Sequence, residues 1–183
     1  MAMPESAARW SVDMLDALPE DGMRREIIAG ELLVTPAPSW HHQDVVLALA
    51  KRLDDYVRAQ RVGRVLVAPA DVTFDGRTRV QPDLFVVPLV GGRAPRAFEE
   101  VRRLLLVVEV LSPATARWDR REKRRLYLER DVAEYWMVDI DAAIVERWCP
   151  GDQRPEMLVD RMEWHAAGAA APLVLDIADI VRS

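Results

Sequence analysis

The chain has 183 residues, half of them hydrophobic and 30 % charged, with a net charge of −5. This is the composition of an ordinary soluble protein long enough to bury a sizeable core. The acidic balance argues against a protein that coats nucleic acid wholesale, while leaving room for a local basic face. A single cysteine, Cys149, excludes an intramolecular disulfide and any multi-cysteine zinc site, and a reducing, cytoplasmic setting is the expectation. No apolar run reaches about 18 residues, and the N-terminus lacks the basic-then-apolar pattern of a signal peptide, so neither a membrane span nor a targeting segment is expected.

Residues 1–23 carry a short amphipathic pattern (Trp10, Val12, Met14, Leu15, Leu18) closed by Pro19 and Gly22. It predicts a small arm laid on a domain spanning 24–183. Residues 26–34 read as a β-hairpin turning at Ala29-Gly30, with Glu31 on the returning strand. Ser39 is an N-cap candidate for a long helix whose apolar residues, Val45, Val46, Leu49, Leu53, Tyr56 and Val57, recur in steps of three and four. Gly63 stops it. Short strands are predicted over 64–67 and 71–74, before an Asp75-Gly76 turn, and a core strand over 84–87, with Pro82 in the tolerated position at its head. Residues 88–100 read as a loop.

The segment from Arg103 to Asp139 carries the main anomaly. Leu104 to Val108 and Val110 form an apolar run that suits a strand covered on both faces, yet Glu109 sits inside it. An ionised carboxylate there is costly unless it is paired or holds a metal. Ser112-Pro113 ends the strand, a charged helix is expected over 118–130, and a further strand over 134–139. Hairpin strands at 144–148 and 157–159, an Ala-rich surface connection at 166–172 and a short terminal segment at 173–181 complete the chain. Helix, strands, helix, strands is the order of a mixed sheet with helices on its faces.

Asp83 at the head of one core strand, Glu109 inside the next and Lys123 on the helix after it stand where packing alone would not put charges. If the two strands are neighbours, their carboxylates converge as oxygen ligands suited to Mg2+ or Mn2+. Such an ion would polarise a phosphate oxygen and acidify an attacking water, which Lys123 could orient. The constellation is that of metal-assisted phosphodiester hydrolysis.

The segments AGELLVTPAPSWHH, QPDLFVV, LLLVVEVLSPAT and DRREKRRLYLERDVAEYWMVD together resemble the Uma-two family of restriction-endonuclease-like proteins, within the PD-(D/E)xK nuclease superfamily, over residues 24–181. The resemblance implies an α/β fold: a restriction-endonuclease-like core with a central mixed β-sheet flanked by helices, an N-terminal β-hairpin and extra C-terminal strands. It implies a metal site at which Asp83 and Glu109 match the paired acids, Glu31 matches an auxiliary acid on the hairpin, and DNA is the substrate. One departure stands out, because Leu111 occupies the position two beyond the glutamate where the superfamily carries lysine. Lys123 is the matching lysine, displaced onto the following helix. Asp119, Lys123 and Tyr127 fall at helical spacing on one face of it.

Other readings stand beside these. Asp83 could cap a turn after Pro82, Glu109 could sit in a buried ion pair with an arginine, and Asp119–Lys123 could be a solvated helix pair. Glu31 could simply be exposed. His41 and His42 open the long helix, where histidines usually face solvent, and His42 is the candidate substrate contact. Arg120 and Arg124, with Arg117, Arg121, Arg125 and Arg130, give the charged helix a basic surface for phosphate backbones, or only a soluble face. The expectation is a Mg2+- or Mn2+-dependent endonuclease, with a homodimer formed through the Trp- and Val-rich C-terminal strands. Its rival is a catalytically inactive nuclease-fold protein serving as a nucleic-acid-binding or dimerisation module.

Overall fold

The computed structural model describes residues 9–19 and 21–182. The parts of the predicted arm at residues 1–8 and 20 lie outside the described residues. Within the remainder, Ser11 caps a short helix, α1 (Val12–Asp16), by accepting a hydrogen bond from Met14 N. Trp10 N donates to Gly30 O and Val12 N to Gly76 O, both at 2.9 Å, which pins the arm to two hairpin turns.

The first of those turns joins β1 (Arg24–Ile28) to β2 (Glu31–Thr35). Ala29 (φ 51°) and Gly30 (φ 86°) both take left-handed backbone, the geometry that a two-residue hairpin turn requires. β4 (Val72–Asp75) and β5 (Thr78–Val80) complete a small antiparallel sheet in the order β2-β1-β5-β4.

The larger sheet has six strands in the order β10-β9-β8-β7-β6-β3: β3 (Gly63–Val67), β6 (Leu84–Pro88), β7 (Leu106–Val110), β8 (Tyr135–Asp139), β9 (Ile144–Trp148) and β10 (Glu156–Leu158). Only β7 and β8 run parallel, and the charged helix makes the crossover between them. Side-chain alternation sends Leu84, Val86, Leu106, Val108, Trp136 and Val138 into one core under the long helix α2 (Trp40–Ala59). Their neighbours Phe85, Val87, Val107, Tyr135 and Met137 enter a second core on the opposite face, shared with Ile28, Val72 and Val80 of the small sheet. That second face carries the charged residues. No helix among the described residues is long and apolar enough to cross a membrane.

Two elements differ from expectation. The charged helix begins earlier and is not uniform: α3 (Ala116–Trp118), a π-helical turn (Asp119–Lys123) and α4 (Arg124–Glu129) run end to end. The C-terminal region also holds a hairpin of its own, β11 (Arg161–Trp164) with β12 (Leu173–Asp176), before the short helix α5 (Ile177–Val181). Met162 and Trp164 alternate with charged residues there and fill the α2-side core, which explains the strand.

Gly63 opens edge strand β3 hard against its neighbour. A Cβ at this position would lie 2.6 Å from Val87 O, a backbone atom that cannot move aside cheaply. Gly63→Ala is therefore expected to cost about 1–3 kcal/mol, the usual penalty for overpacking, and to lower the melting temperature. An unchanged melting curve would mean that the edge strand yields freely.

A buried carboxylate and lysine cluster

Glu109 shares the face of Val107, since side chains alternate along β7 and Leu106, Val108 and Val110 point the other way. β6 runs antiparallel beside it with Leu84 opposite Val108, so Asp83, one residue before Leu84, comes alongside Glu109. Val110 N donates to Asp83 Oδ2 at 2.9 Å and fixes the carboxylate. From the small sheet, Arg24 and Glu26 occupy alternate positions of β1 and reach the same place. Glu26 Oε1 accepts from Gln81 N at 2.7 Å, and Arg24 NH1 donates to Asp83 Oδ1 at 2.8 Å.

The crossover helix closes the cluster. Ser112 Oγ accepts from Thr115 N just after the strand ends, which turns the chain into the helix. The π-helical turn then brings Asp119 and Lys123 inward, a local widening common at functional sites. Lys123 Nζ lies 2.8 Å from Glu109 Oε1, 2.9 Å from Glu26 Oε1 and 3.6 Å from Asp119 Oδ1. Tyr127 Oη donates to Glu109 Oε1 at 3.1 Å.

Burial dominates the electrostatics. Glu109, Asp119 and Lys123 are each no more than 2 % exposed, and Asp83 is 4 % exposed. Burial pushes Glu109 well above the usual carboxylate range; Lys123 opposes the shift, while Asp83, Asp119 and Glu26 reinforce it. Asp119 is raised for the same reason. Burial alone would raise Asp83 too, but His42, Arg24 and Lys123 outweigh it and hold the group at about 2. Lys123 is held protonated because Glu109, Glu26 and Asp119 overcome the desolvation that would lower it.

Four acids (Glu26, Asp83, Glu109, Asp119) against two fixed cations (Arg24, Lys123) leave two negative charges uncompensated at full ionisation. Asp119 Oδ1 is buried without a hydrogen-bond partner. A divalent cation fits this excess in charge and in its preference for carboxylate oxygen. Among the described residues no three His, Cys, Asp or Glu side chains already converge as a metal cage. Lys123 and Arg24 stand between the carboxylates instead.

Of the residues predicted from sequence, Asp83, Glu109, Asp119, Lys123 and Tyr127 come together here. His42, only 7 % exposed and thus not a solvent-facing helix start, points inward with Nε2 3.3 Å from Asp83 Oδ2, too poorly aimed for a hydrogen bond. Arg120 lines the cleft of about 530 Å³ that opens onto the acids, held by Glu146 at 2.7 Å and Asp139 at 3.2 Å. Arg124 instead stacks its guanidinium 4.7 Å above the Trp148 ring. Glu31 does not join the cluster. It is exposed at the turn end of the hairpin, opposite Ile28 and four rungs from Arg24, ~13 Å at strand rise. The hairpin acid in the cluster is Glu26, which the sequence reading missed, as it missed Arg24.

The mixed sheet with its acids on one face places the chain in the restriction-endonuclease-like class of folds. The Uma2 family profile, described as "Putative restriction endonuclease", matches residues 12–175, and the chain belongs to that family. Its fold is shared with a crystal structure from Anabaena variabilis titled as "a putative nuclease belonging to DUF820". The two are 22 % identical, the match covers 94 % of this chain and 98 % of that one, and the TM-score is 0.78. Comparison with curated proteins gives no match.

The raised acids set a pH dependence. A carboxylate whose folded-state pKa lies above its unfolded value stabilises the fold below the unfolded value, and that share is lost as pH rises through the folded one. With chelator present, the melting temperature should therefore fall as pH increases above the ordinary value of 4.5 for Glu109, and above 3.8 for Asp119. Asp119→Asn should flatten part of this decline and raise the melting temperature near neutral pH by roughly 2–4 °C, the shift that about 1 kcal/mol makes in a chain this size. A lower melting temperature for this variant across the pH range would contradict the charge balance.

Proposed function

We propose that this chain is a divalent-metal-dependent endonuclease that hydrolyses phosphodiester bonds in DNA. The observation that carries the reading is the buried Lys123 Nζ, 2.8 Å from Glu109 and 2.9 Å from Glu26, on the sheet face where Asp83 adjoins Glu109. It supports Lys123 as the displaced counterpart of the lysine absent at Leu111. Family membership supports the same activity.

In this reading Asp83 and Glu109 hold Mg2+ or Mn2+, with Glu26 completing the acid set in place of Glu31. The bound ion would supply Lewis-acid polarisation of the phosphate and a more acidic water. Lys123 has one N–H with no partner closer than Asp119 at 3.6 Å. That donor orients the attacking water or meets the charge that develops on the phosphate oxygens. Asp119, its acidity weakened by burial and its Oδ1 unpartnered, accepts the proton that the water gives up. One P–O bond forms to that water and the ester P–O bond breaks, with solvent in the cleft protonating the departing oxygen. His42 and Arg120 border the cleft as contacts for the strand's phosphates, and Tyr127 positions Glu109.

The rival, a module that keeps the fold without catalysis, draws on the absence of a ready metal cage among the described residues. Cleavage of supercoiled and linear DNA with Mn2+ separates the two. The wild type should nick and linearise, while Asp83→Ala, Glu109→Ala and Lys123→Ala should each lose at least ~100-fold in rate, the scale of a lost acid–base or charge-stabilising group. Variants that stay folded and cleave as well as the wild type would remove these residues from the mechanism. No cleavage by the wild type, with no metal-dependent rise in melting temperature, would favour the module. Exposed Met157 on edge strand β10 and Val159 just after it support a homodimer through the C-terminal strands, which sedimentation would register as a doubled mass.

A further inference from the structure

Arg24 has no role in the mechanism above, yet its guanidinium lies against both of the acids that would hold the metal ion. The cluster's two cations approach its oxygens from opposite sides and share Glu26 Oε1. Lys123 takes Glu109 Oε1 and Glu26 Oε1 from the helix side. Arg24 approaches from the other side: NH1 lies 2.8 Å from Asp83 Oδ1, and NH2, which donates to Gln81 O, lies 3.7 Å from both Glu109 Oε2 and Glu26 Oε1. Asp83 Oδ2 is already committed to Val110 N. The oxygens of Asp83 and Glu109 not already held by Val110, Lys123 or Tyr127 are therefore the ones that Arg24 faces, and a divalent ion held by the two acids would compete with it for them.

The two cations also differ in freedom. Lys123 is fully enclosed, whereas the Arg24 side chain is 21 % exposed. Arg24 and Asp83 together line both the 530 Å³ cleft and an adjoining one of about 830 Å³. NH1 donates to Asp83 and NH2 to Gln81 O, but Arg24 Nε is buried with no hydrogen-bond partner, so one donor of the guanidinium is left unsatisfied where it rests. A planar fork of this kind pairs well with two phosphate oxygens.

We propose that Arg24 is a resident counter-cation that holds the Asp83–Glu109 pair in the metal-free protein, is displaced by the divalent ion, and then binds a phosphate diester oxygen in the cleft. The inference rests on the endonuclease reading and adds to it a coupling: phosphate draws Arg24 off the acids, so substrate and metal tighten one another's binding. Linkage requires the effect to be reciprocal.

The test is Mn2+ binding, measured by calorimetry and by the electron paramagnetic resonance of free Mn2+, for the wild type and Arg24→Gln, with and without dimethyl phosphate. Arg24→Gln should bind Mn2+ about 10-fold more tightly, and dimethyl phosphate should tighten Mn2+ binding several-fold in the wild type but not in the variant, effects within the usual span of site-to-site coupling. The wild-type comparison needs no variant and stands even if Arg24→Gln fails to fold. Arg24→Lys, which keeps a charge but cannot bridge both acids, should fall between the two. Wild-type binding that the variant does not improve and that dimethyl phosphate does not tighten would overturn the role of Arg24 and leave the endonuclease reading intact. No Mn2+ binding by either protein would overturn both.

Discussion

A single ammonium group organises the second face of this sheet. Lys123 is almost completely enclosed, and its charge is tolerable there only because Glu109 and Glu26 lie within 2.9 Å. Those acids in turn come from two different sheets, so the lysine ties the small sheet, the large sheet and the crossover helix to one point. Removing the ammonium of Lys123 would leave uncompensated negative charge in a low-dielectric interior, whereas removing the charge of Asp119 would relieve part of the excess.

Fully ionised, the arrangement holds more negative charge than its own cations cancel, and it does so inside the protein. Apolar cores on both faces of β7 exclude water from Glu109, and antiparallel pairing to β6 sets Asp83 beside it. Desolvation and mutual repulsion raise Glu109 and Asp119, while Asp83, nearest to Arg24 and His42, remains ionised. Environments that push neighbouring acids apart in pKa, in a cleft, mark a candidate functional site. The π-helical turn belongs to the same design, because it brings Asp119 and Lys123 together into the interior.

Much of this was legible in the residues. Glu109 declared itself as a charge inside an apolar strand, and Asp83 as an acid at the head of the next strand after Pro82. Lys123 could be placed by helical spacing once the strand before it was recognised. Glu26 was not legible, because it lies between arginines and a pair of isoleucines in a hairpin whose second acid, Glu31, was the more conspicuous one. The register of β1 against β2 puts Arg24 at the open end of the hairpin, Glu26 midway along it and Glu31 at its turn. Arg24 was hidden for a related reason: its role depends on which oxygens of Asp83 and Glu109 face it, a tertiary detail with no local signature. The β11–β12 hairpin follows a plain alternation of Met162 and Trp164, but a four-residue strand among turns gives too short a pattern to separate from loop.

In the proposed function, the charge excess around Lys123 serves to hold a divalent cation at Asp83 and Glu109. An anomalous-difference map from crystals soaked in Mn2+ tests it most directly. A peak is expected within bonding distance of carboxylate oxygens of both Asp83 and Glu109, with Lys123 still paired to Glu109. No peak at saturating Mn2+, or a peak only at surface acids with Arg24 unmoved on Asp83, would contradict it.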